Sequence, residues 1–236
     1  MDTIASGVLG LHIVTGYIAL AVAPGAMLAR KGGLWHRRWG KIYFWAMAGV
    51  ALTAVLLSLY RPNLFLLLLA VFSFYQAFSG YRVLSRKLPN HGQRATPWDW
   101  TTAALTVMGS AALVVYGLIR WSAGSSFFVV PAVFGVLGIA LAGRDLHGFL
   151  RPPARQHAWW FMHMGGMLGA YIATVSAFSV VNFTFLPPIV RWLWPTAIGL
   201  PGIFMWISYY RRKFNRTPSP LTAQTAMRGG MNPAQG

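Results

Sequence analysis

Seven apolar runs organise this chain, at roughly residues 7–29, 42–60, 64–84, 101–119, 122–143, 158–180 and 192–210. Each is long enough to matter, because about 20 residues at 1.5 Å rise span a ~30 Å hydrocarbon core. The pattern predicts an all-α fold, a polytopic membrane bundle of seven transmembrane helices over residues 1–213. Residues 214–236, rich in Pro, Gly, Ser, Thr and Gln, read as a disordered tail. Nothing basic precedes the first run, and Pro24 directly follows Ala21-Val22-Ala23. The first run is therefore read as a retained span and not as a cleaved signal. No second domain is expected.

Charge gives the bundle a direction. The chain carries 20 Lys and Arg against 3 Asp and Glu, a net +17. Arg30, Lys31, Arg37, Arg38 and Lys41 lie in the first connection, and Arg82, Arg86, Lys87 and Arg94 in the third. Arg144, Arg151 and Arg155 lie in the fifth, and Arg211, Arg212, Lys213, Arg216 and Arg228 follow the last run. The second, fourth and sixth connections carry only Arg61, Arg120 and Arg191. Short Lys- and Arg-rich loops stay in the cytoplasm, so the N-terminus is expected outside and the C-terminus inside. Tryptophans such as Trp35, Trp39, Trp121 and Trp194 fall near the expected interfaces, where indoles prefer to sit. The same distribution removes nucleic acid as a partner. The positive charge follows topology, and its natural partners are the bilayer and anionic lipid head groups.

The candidate chemistry is sparse. There is no cysteine, which removes disulfides, thiol catalysis and Fe–S clusters. Asp99 and Asp145 stand at the cytoplasmic ends of the fourth and fifth runs, so no paired carboxylates lie at depth and no catalytic residue is assigned. The lysines are Lys31, Lys41, Lys87 and Lys213, none within the seventh run, which excludes a retinal Schiff base there. Histidine remains. His163 lies about five residues into the sixth run, roughly 8 Å deep, and His36 lies in the first connection. Together they are the candidate ligands of a b-type haem, with Gly165, Gly166 and Gly169 leaving room for the macrocycle. No separate metal site is read from the chain, and His12 and His147 carry no assigned role. Arg30, Lys31, Arg37 and Arg38, around the Gly32-Gly33 turn, are candidates for an anionic head group. Gln76 is expected to hydrogen-bond across the bundle or to line a small-molecule cavity. Small residues spaced by four in the sixth run, Gly165-Gly169-Ala173 and Gly166-Ala170-Thr174, predict close helix packing. Pro131, Pro195 and Pro201 are expected to kink or break the fifth and seventh spans.

Three stretches carry a resemblance. They are Lys31-Gly32-Gly33 with His36-Arg37 and Gly40, Phe72-Ser73-Phe74-Tyr75 with Ser79-Gly80-Tyr81-Arg82, and His163-Met164-Gly165 through Ala173 to Asn182. Together they resemble a bacterial membrane-protein family defined only as a domain of unknown function. Where that family often has a basic residue, this chain has Gly166. The resemblance implies a bacterial origin and a multi-pass protein of the cytoplasmic (inner) membrane. It carries no catalytic role. It draws attention to His12, His36, Asp145 and His163. The leading specific expectation is haem- or quinone-associated electron transfer through His163 and His36. The alternatives are a carrier or receptor for a small or lipid-like molecule, and a non-catalytic membrane scaffold.

Overall fold

The computed structural model describes residues 3–88, 92–153 and 157–216. Asp2, His91, Arg155 and the expected tail from residue 217 onward lie outside the described residues. Seven α-helices follow one another: α1 (Thr3–Leu28), α2 (Leu34–Tyr60), α3 (Leu64–Arg82), α4 (Pro97–Ser122), α5 (Val129–Leu150), α6 (Ala158–Asn182) and α7 (Pro188–Arg216). A 3-10 turn, Val83–Ser85, extends α3, and Ser126–Phe128 leads into α5. No strand occurs among the described residues. The all-helical architecture is compatible with a membrane bundle. Among the described residues six helices are long and apolar enough to cross a bilayer, α1 to α6. The seventh expected span is a helix but falls short of that measure. Trp192, Trp194, Pro195, Pro201 and Trp206 dilute its aliphatic content.

The helices overrun the apolar runs at polar ends. α2 starts at Leu34, so the first connection is only Ala29–Gly33, and His36, Arg37 and Arg38 are helical. α4 takes in Asp99, and α5 takes in Arg144, Asp145 and His147. Backbone hydrogen bonding does not stop where hydrocarbon does, so a helix continues through the interface until a cap or turn ends it. Gly32 supplies that turn between α1 and α2, with φ of 75°. Pro131 sits in the first turn of α5, where a missing N–H costs nothing. The helix of α7 runs on through Pro195 and Pro201, so the expected break does not occur there.

The chain divides at Gly199 into two compact units. The first, residues 1–199, holds α1 to α6 and the opening turns of α7. The second contains the rest of α7. In the first unit α3 is central and packs against α2, α4, α5 and α6, while α1 pairs with α2 and α4 with α5. One apolar cluster joins Ala19, Val22, Ala23, Tyr43, Met47, Ala77 and Ala170. A second joins Phe65, Phe72, Leu113, Val130, Phe134 and Trp192. Many large apolar side chains instead face outward, among them Leu11, Val14, Trp45, Leu52, Leu118 and Val136. Such a surface suits lipid, whereas in water it would be a severe exposed patch.

Glycine sets the closest approaches. A Cβ on Gly166 would lie 2.7 Å from the Gly80 Cα and 2.9 Å from the Gln76 carbonyl oxygen. One on Gly169 would collide with the Gln76 side chain. In α5 a Cβ on Gly135 would lie 2.7 Å from the Ser110 carbonyl, and one on Gly138 would overlap the Ser110 hydroxyl. The contact face of α6 thus runs through Gly166, Gly169, Ala170 and Ala173. Gly165 is not on it, since its Cβ would meet nothing within 4 Å.

Candidate functional site

Two features stand at opposite ends of the first unit. At the end where α1 turns into α2, two imidazoles come together. His36 from α2 and His163 from α6 have ring centroids 6.1 Å apart, inclined at 79°. Each closes a helix C-terminus. His36 Nδ1 is 2.8 Å from the Ala26 carbonyl of α1, and His163 Nδ1 is 2.7 Å from the Gly80 carbonyl of α3. A carbonyl only accepts, so Nδ1 carries the proton in both rings. When neutral, each ring presents Nε2 as a bare lone pair. Lys31 donates to the Met27 carbonyl beside them. Final-turn carbonyls lack intrahelical partners and sit at the negative end of the helix dipole, so basic groups settle there.

The geometry can be tested against a haem. Two imidazoles on one iron, with metal–nitrogen bonds of about 2.0 Å, would place ring centroids roughly 6 Å apart. The spacing agrees. The room expected beside His163 does not follow, because Gly166 is closed off by the α3 backbone and Gly169 by Gln76. Only Gly165 is open. The residues present do not provide a macrocycle slot on that face.

The other basic candidates separate. Arg30, Lys31, Arg37 and Arg38 are all exposed, and the Arg38 guanidinium lies 5.7 Å from the Trp35 ring centroid. His36 turns inward to the Ala26 carbonyl of α1, and Lys31 bonds to the Met27 carbonyl of the same helix. Gln76 is buried against Gly169, so it serves the α3–α6 contact and does not line the cavity described below. Sequence reading missed Lys87, whose ammonium lies 4.7 Å from the Trp159 ring centroid at the start of α6. Its place just beyond α3 was visible, but its neighbours were not.

Between these helices and α4–α5 the two carboxylates are buried, with Asp99 at 2% and Asp145 at 1% exposure. Arg82 grips Asp99 with two bonds, Nε–Oδ1 at 3.1 Å and Nη2–Oδ2 at 2.9 Å. Asp99 in turn accepts from the Thr96 N–H at 2.8 Å, closing a capping box. Asp145 accepts from the Tyr75 hydroxyl at 2.9 Å, from the Ser79 hydroxyl, and from Arg144 Nη2 at 3.0 Å. Arg86 lies between the two acids, 3.7 Å from Asp99 Oδ1 and over the Phe149 ring. Burial pulls its pKa down, and the fields of Asp99 and Asp145 oppose that shift. This network consumes both acids in tying α3 to α4 and α5.

At the opposite end, where α2 turns into α3, the helices border a half-open cavity of about 650 Å3. Its walls come from α1, α2, α3, α6 and Trp192 of α7, and they are mainly aliphatic and aromatic. The volume falls in the usual range for small-molecule sites. A few polar groups line it, and their hydrogen bonds fix what they can offer. Thr53 donates its hydroxyl to the Gly49 carbonyl at 2.6 Å. It therefore accepts from His12 Nδ1 at 2.9 Å, which leaves the His12 Nε2 as an acceptor. Ser73 donates to the Leu69 carbonyl at 2.7 Å and Thr174 to the Ala170 carbonyl at 3.0 Å. Asn182 spends its NH2 on the Phe178 carbonyl at 2.8 Å. These groups thus offer lone pairs, while Tyr17, Arg61 and Asn63, also in the lining, bring donors at other points of the wall.

Comparison of the chain with family models, with curated proteins and with solved structures finds no match.

Proposed function

We propose that this is a multi-pass protein of a bacterial inner membrane that binds a small, largely apolar molecule bearing hydroxyl groups. It would act as a carrier or receptor for that molecule. The cavity carries the reading. In this apolar space the hydrogens of His12, Thr53, Ser73 and Thr174 are already used, so around them the wall favours a ligand that brings its own donors. An unpaired buried acceptor is costly, and a ligand hydroxyl removes that cost. Phenolic or alcoholic amphiphiles fit this description, and a quinol belongs to the same class. The reading includes seven spans with the N-terminus outside, which places the cavity in the outer half. That orientation rests on the basic residues in alternate connections.

The test uses an alkyl hydroquinone with a ten-carbon tail and its dimethyl ether, measured by equilibrium binding to the full chain in detergent. The hydroquinone should bind about tenfold more tightly than the ether, the worth of one or two hydrogen bonds. Gly16 lines the cavity, and a Cβ there meets nothing within 4 Å. Gly16→Leu should therefore fill the cavity without disturbing the fold and abolish binding of both compounds. His12→Phe should leave the ether unaffected and remove the preference for the hydroquinone. Equal binding of both probes to parent and Gly16→Leu would sink the reading.

A further inference from the structure

We propose, resting on the reading of the cavity as a ligand site, that its occupant is a single-chain amphiphile with an acidic head group, which Arg61 and Asn63 hold at the α2–α3 turn. Both residues line the cavity. They frame the turn itself, Arg61 as the residue that ends α2 and Asn63 as the cap of α3. The Asn63 side-chain oxygen accepts from the Leu66 N–H at 3.1 Å, so its NH2 group is left to donate. The Arg61 guanidinium is a permanent cation with N–H donors in a planar fork. Among the described residues that line the cavity, Arg61 is the only Lys or Arg, and none is Asp or Glu. Among the described residues, ion pairs are made by Arg82, Arg86 and Arg144 with Asp99 and Asp145, and Arg61 takes part in none of them. The cavity therefore carries a positive charge that its own wall does not neutralise.

The wall changes character away from that turn. Thr53 holds His12 so that His12 Nε2 accepts, and Ser73 and Thr174 spend their hydrogens on carbonyls of their own helices. Tyr17, edge-on against Phe178, adds a hydroxyl that can donate or accept. Thr53 precedes Arg61 by eight residues along α2, roughly 12 Å at 1.5 Å per residue. Between them α2 lines the cavity with Ala54, Leu57 and Ser58, and the Ser58 hydroxyl is spent on the Val55 carbonyl. A ligand that matches both levels is an acid on an apolar stem, with a hydroxyl further along it. A carboxylate presents two oxygens to the guanidinium fork, and such charge-assisted bonds are roughly twice as strong as neutral ones. A cationic amphiphile would bring like charge to Arg61, and a neutral one would leave the charge unanswered. An arginine that only anchored the helix end would need no place in the cavity wall. A space of about 650 Å3 suits one small molecule, which favours a single chain over the two of a membrane phospholipid.

The test is equilibrium binding of decanoate, methyl decanoate and ω-hydroxydecanoate to the full chain in neutral detergent, at a pH where the acids are ionised. Decanoate should bind about tenfold more tightly than its methyl ester, the worth of one charge-assisted contact. Arg61→Gln should remove that preference and leave the ester unchanged. Arg120→Gln removes the same charge at the end of α4, outside the cavity lining, and should leave the preference intact. The hydroxy acid should bind about fivefold more tightly than decanoate to the parent and no more tightly to His12→Phe, as one neutral hydrogen bond predicts. Equal affinity of the parent for decanoate and its ester would overturn the head-group assignment. So would an equal loss of preference in Arg61→Gln and Arg120→Gln, which would make the effect one of net charge alone. Displacement of decanoate by short-chain phosphatidylglycerol at equal concentration would assign the turn to a membrane lipid and overturn the single-chain ligand. The hydroquinone measurements keep the two readings apart. If Gly16→Leu abolishes hydroquinone binding while the parent does not distinguish decanoate from its ester, the cavity stands and the acidic head group falls. If Gly16→Leu leaves every probe bound, both fall.

Discussion

Two adjacent glycines in α6 should respond in opposite directions to the same substitution. A methyl group at position 166 would sit 2.7 Å from the Gly80 Cα, 2.9 Å from the Gly80 nitrogen and 2.9 Å from the Gln76 carbonyl oxygen. All three are backbone atoms, so no rotamer relieves the overlap. Ordinary contact would require α3 and α6 to part by about 1 Å. Overpacking of this kind costs about 1–3 kcal/mol, and three backbone contacts argue for the upper half of that range. The separation would also stretch the 2.7 Å bond from His163 to the Gly80 carbonyl. Against this, replacing Gly by Ala within a helix gains about 1 kcal/mol. The net expectation for Gly166→Ala is a loss of about 1–2 kcal/mol. At Gly165 the same methyl meets nothing within 4 Å, so only the helix gain of about 1 kcal/mol remains. Thermal unfolding of the two variants in one detergent, followed by intrinsic fluorescence, reads the sign directly. Gly166→Ala should melt below the parent and Gly165→Ala at or above it. If both shift alike, the α3–α6 crossing is not where these distances put it.

Asp145→Ala should destabilise by about 2–4 kcal/mol, because it strands the Tyr75 and Ser79 hydroxyls in a buried site. Tyr75→Phe should cost roughly 1–2 kcal/mol, and Arg144→Gln little, since Arg144 is half exposed. Chemical unfolding of the three variants gives the order, and a larger loss at Arg144 would refute it. Arg82→Lys should weaken the α3–α4 connection by about 1–2 kcal/mol, because a single ammonium does not reproduce two bonds to Asp99. A midpoint unchanged from the parent would show that the fork contributes nothing. For orientation, a cytoplasm-active reporter fused after Phe214 should give signal and one after Asn63 should not. The reverse pattern would overturn the outside placement of the N-terminus.

The helices were legible because a bilayer-length apolar run has few other ways to satisfy its backbone. Their polar ends were less so. Hydropathy falls at Trp35-His36-Arg37-Arg38 and at Arg144-Asp145, yet both stretches are helical. The reading that stopped at the first charge therefore placed His36 in a connection and Asp145 at the cytoplasmic face, just past the end of its run. Asp145 is 1% exposed, within reach of Tyr75 and Ser79 on α3. Its partners lie 70 and 66 residues away, a separation no local pattern reveals. The glycine spacing in α6 did signal close packing. It did not say which row faced α3, since rows one residue apart share the same period of four. The pairing of His36 with His163 depended on a short turn at Gly32, and its φ of 75° is a backbone fact that sequence only permits. The cavity had no sequence signal, because its lining is the same aliphatic material that fills the packed regions.

The tight crossing and the cavity have a common geometric origin. α3 and α6 touch backbone to backbone at Gly80 and Gly166. The residues of these helices that line the cavity begin at Phe74 and Ala173 and extend to Leu66 and Asn182. They lie roughly 9–24 Å from the crossing at 1.5 Å per residue. Membrane helices that cross at about 20° separate by roughly 3–9 Å over that distance. Side chains must fill the growing wedge or leave it open. Here several wall residues are small, Gly16, Ala51, Ala54, Ala70 and Ala173 among them, so the wedge stays open. The same choice of small residues that lets α3 and α6 meet at one end therefore leaves room between α1, α2, α3 and α6 at the other. A bundle built this way is rigid where its glycines meet, and it is accessible to an apolar ligand where its helices diverge.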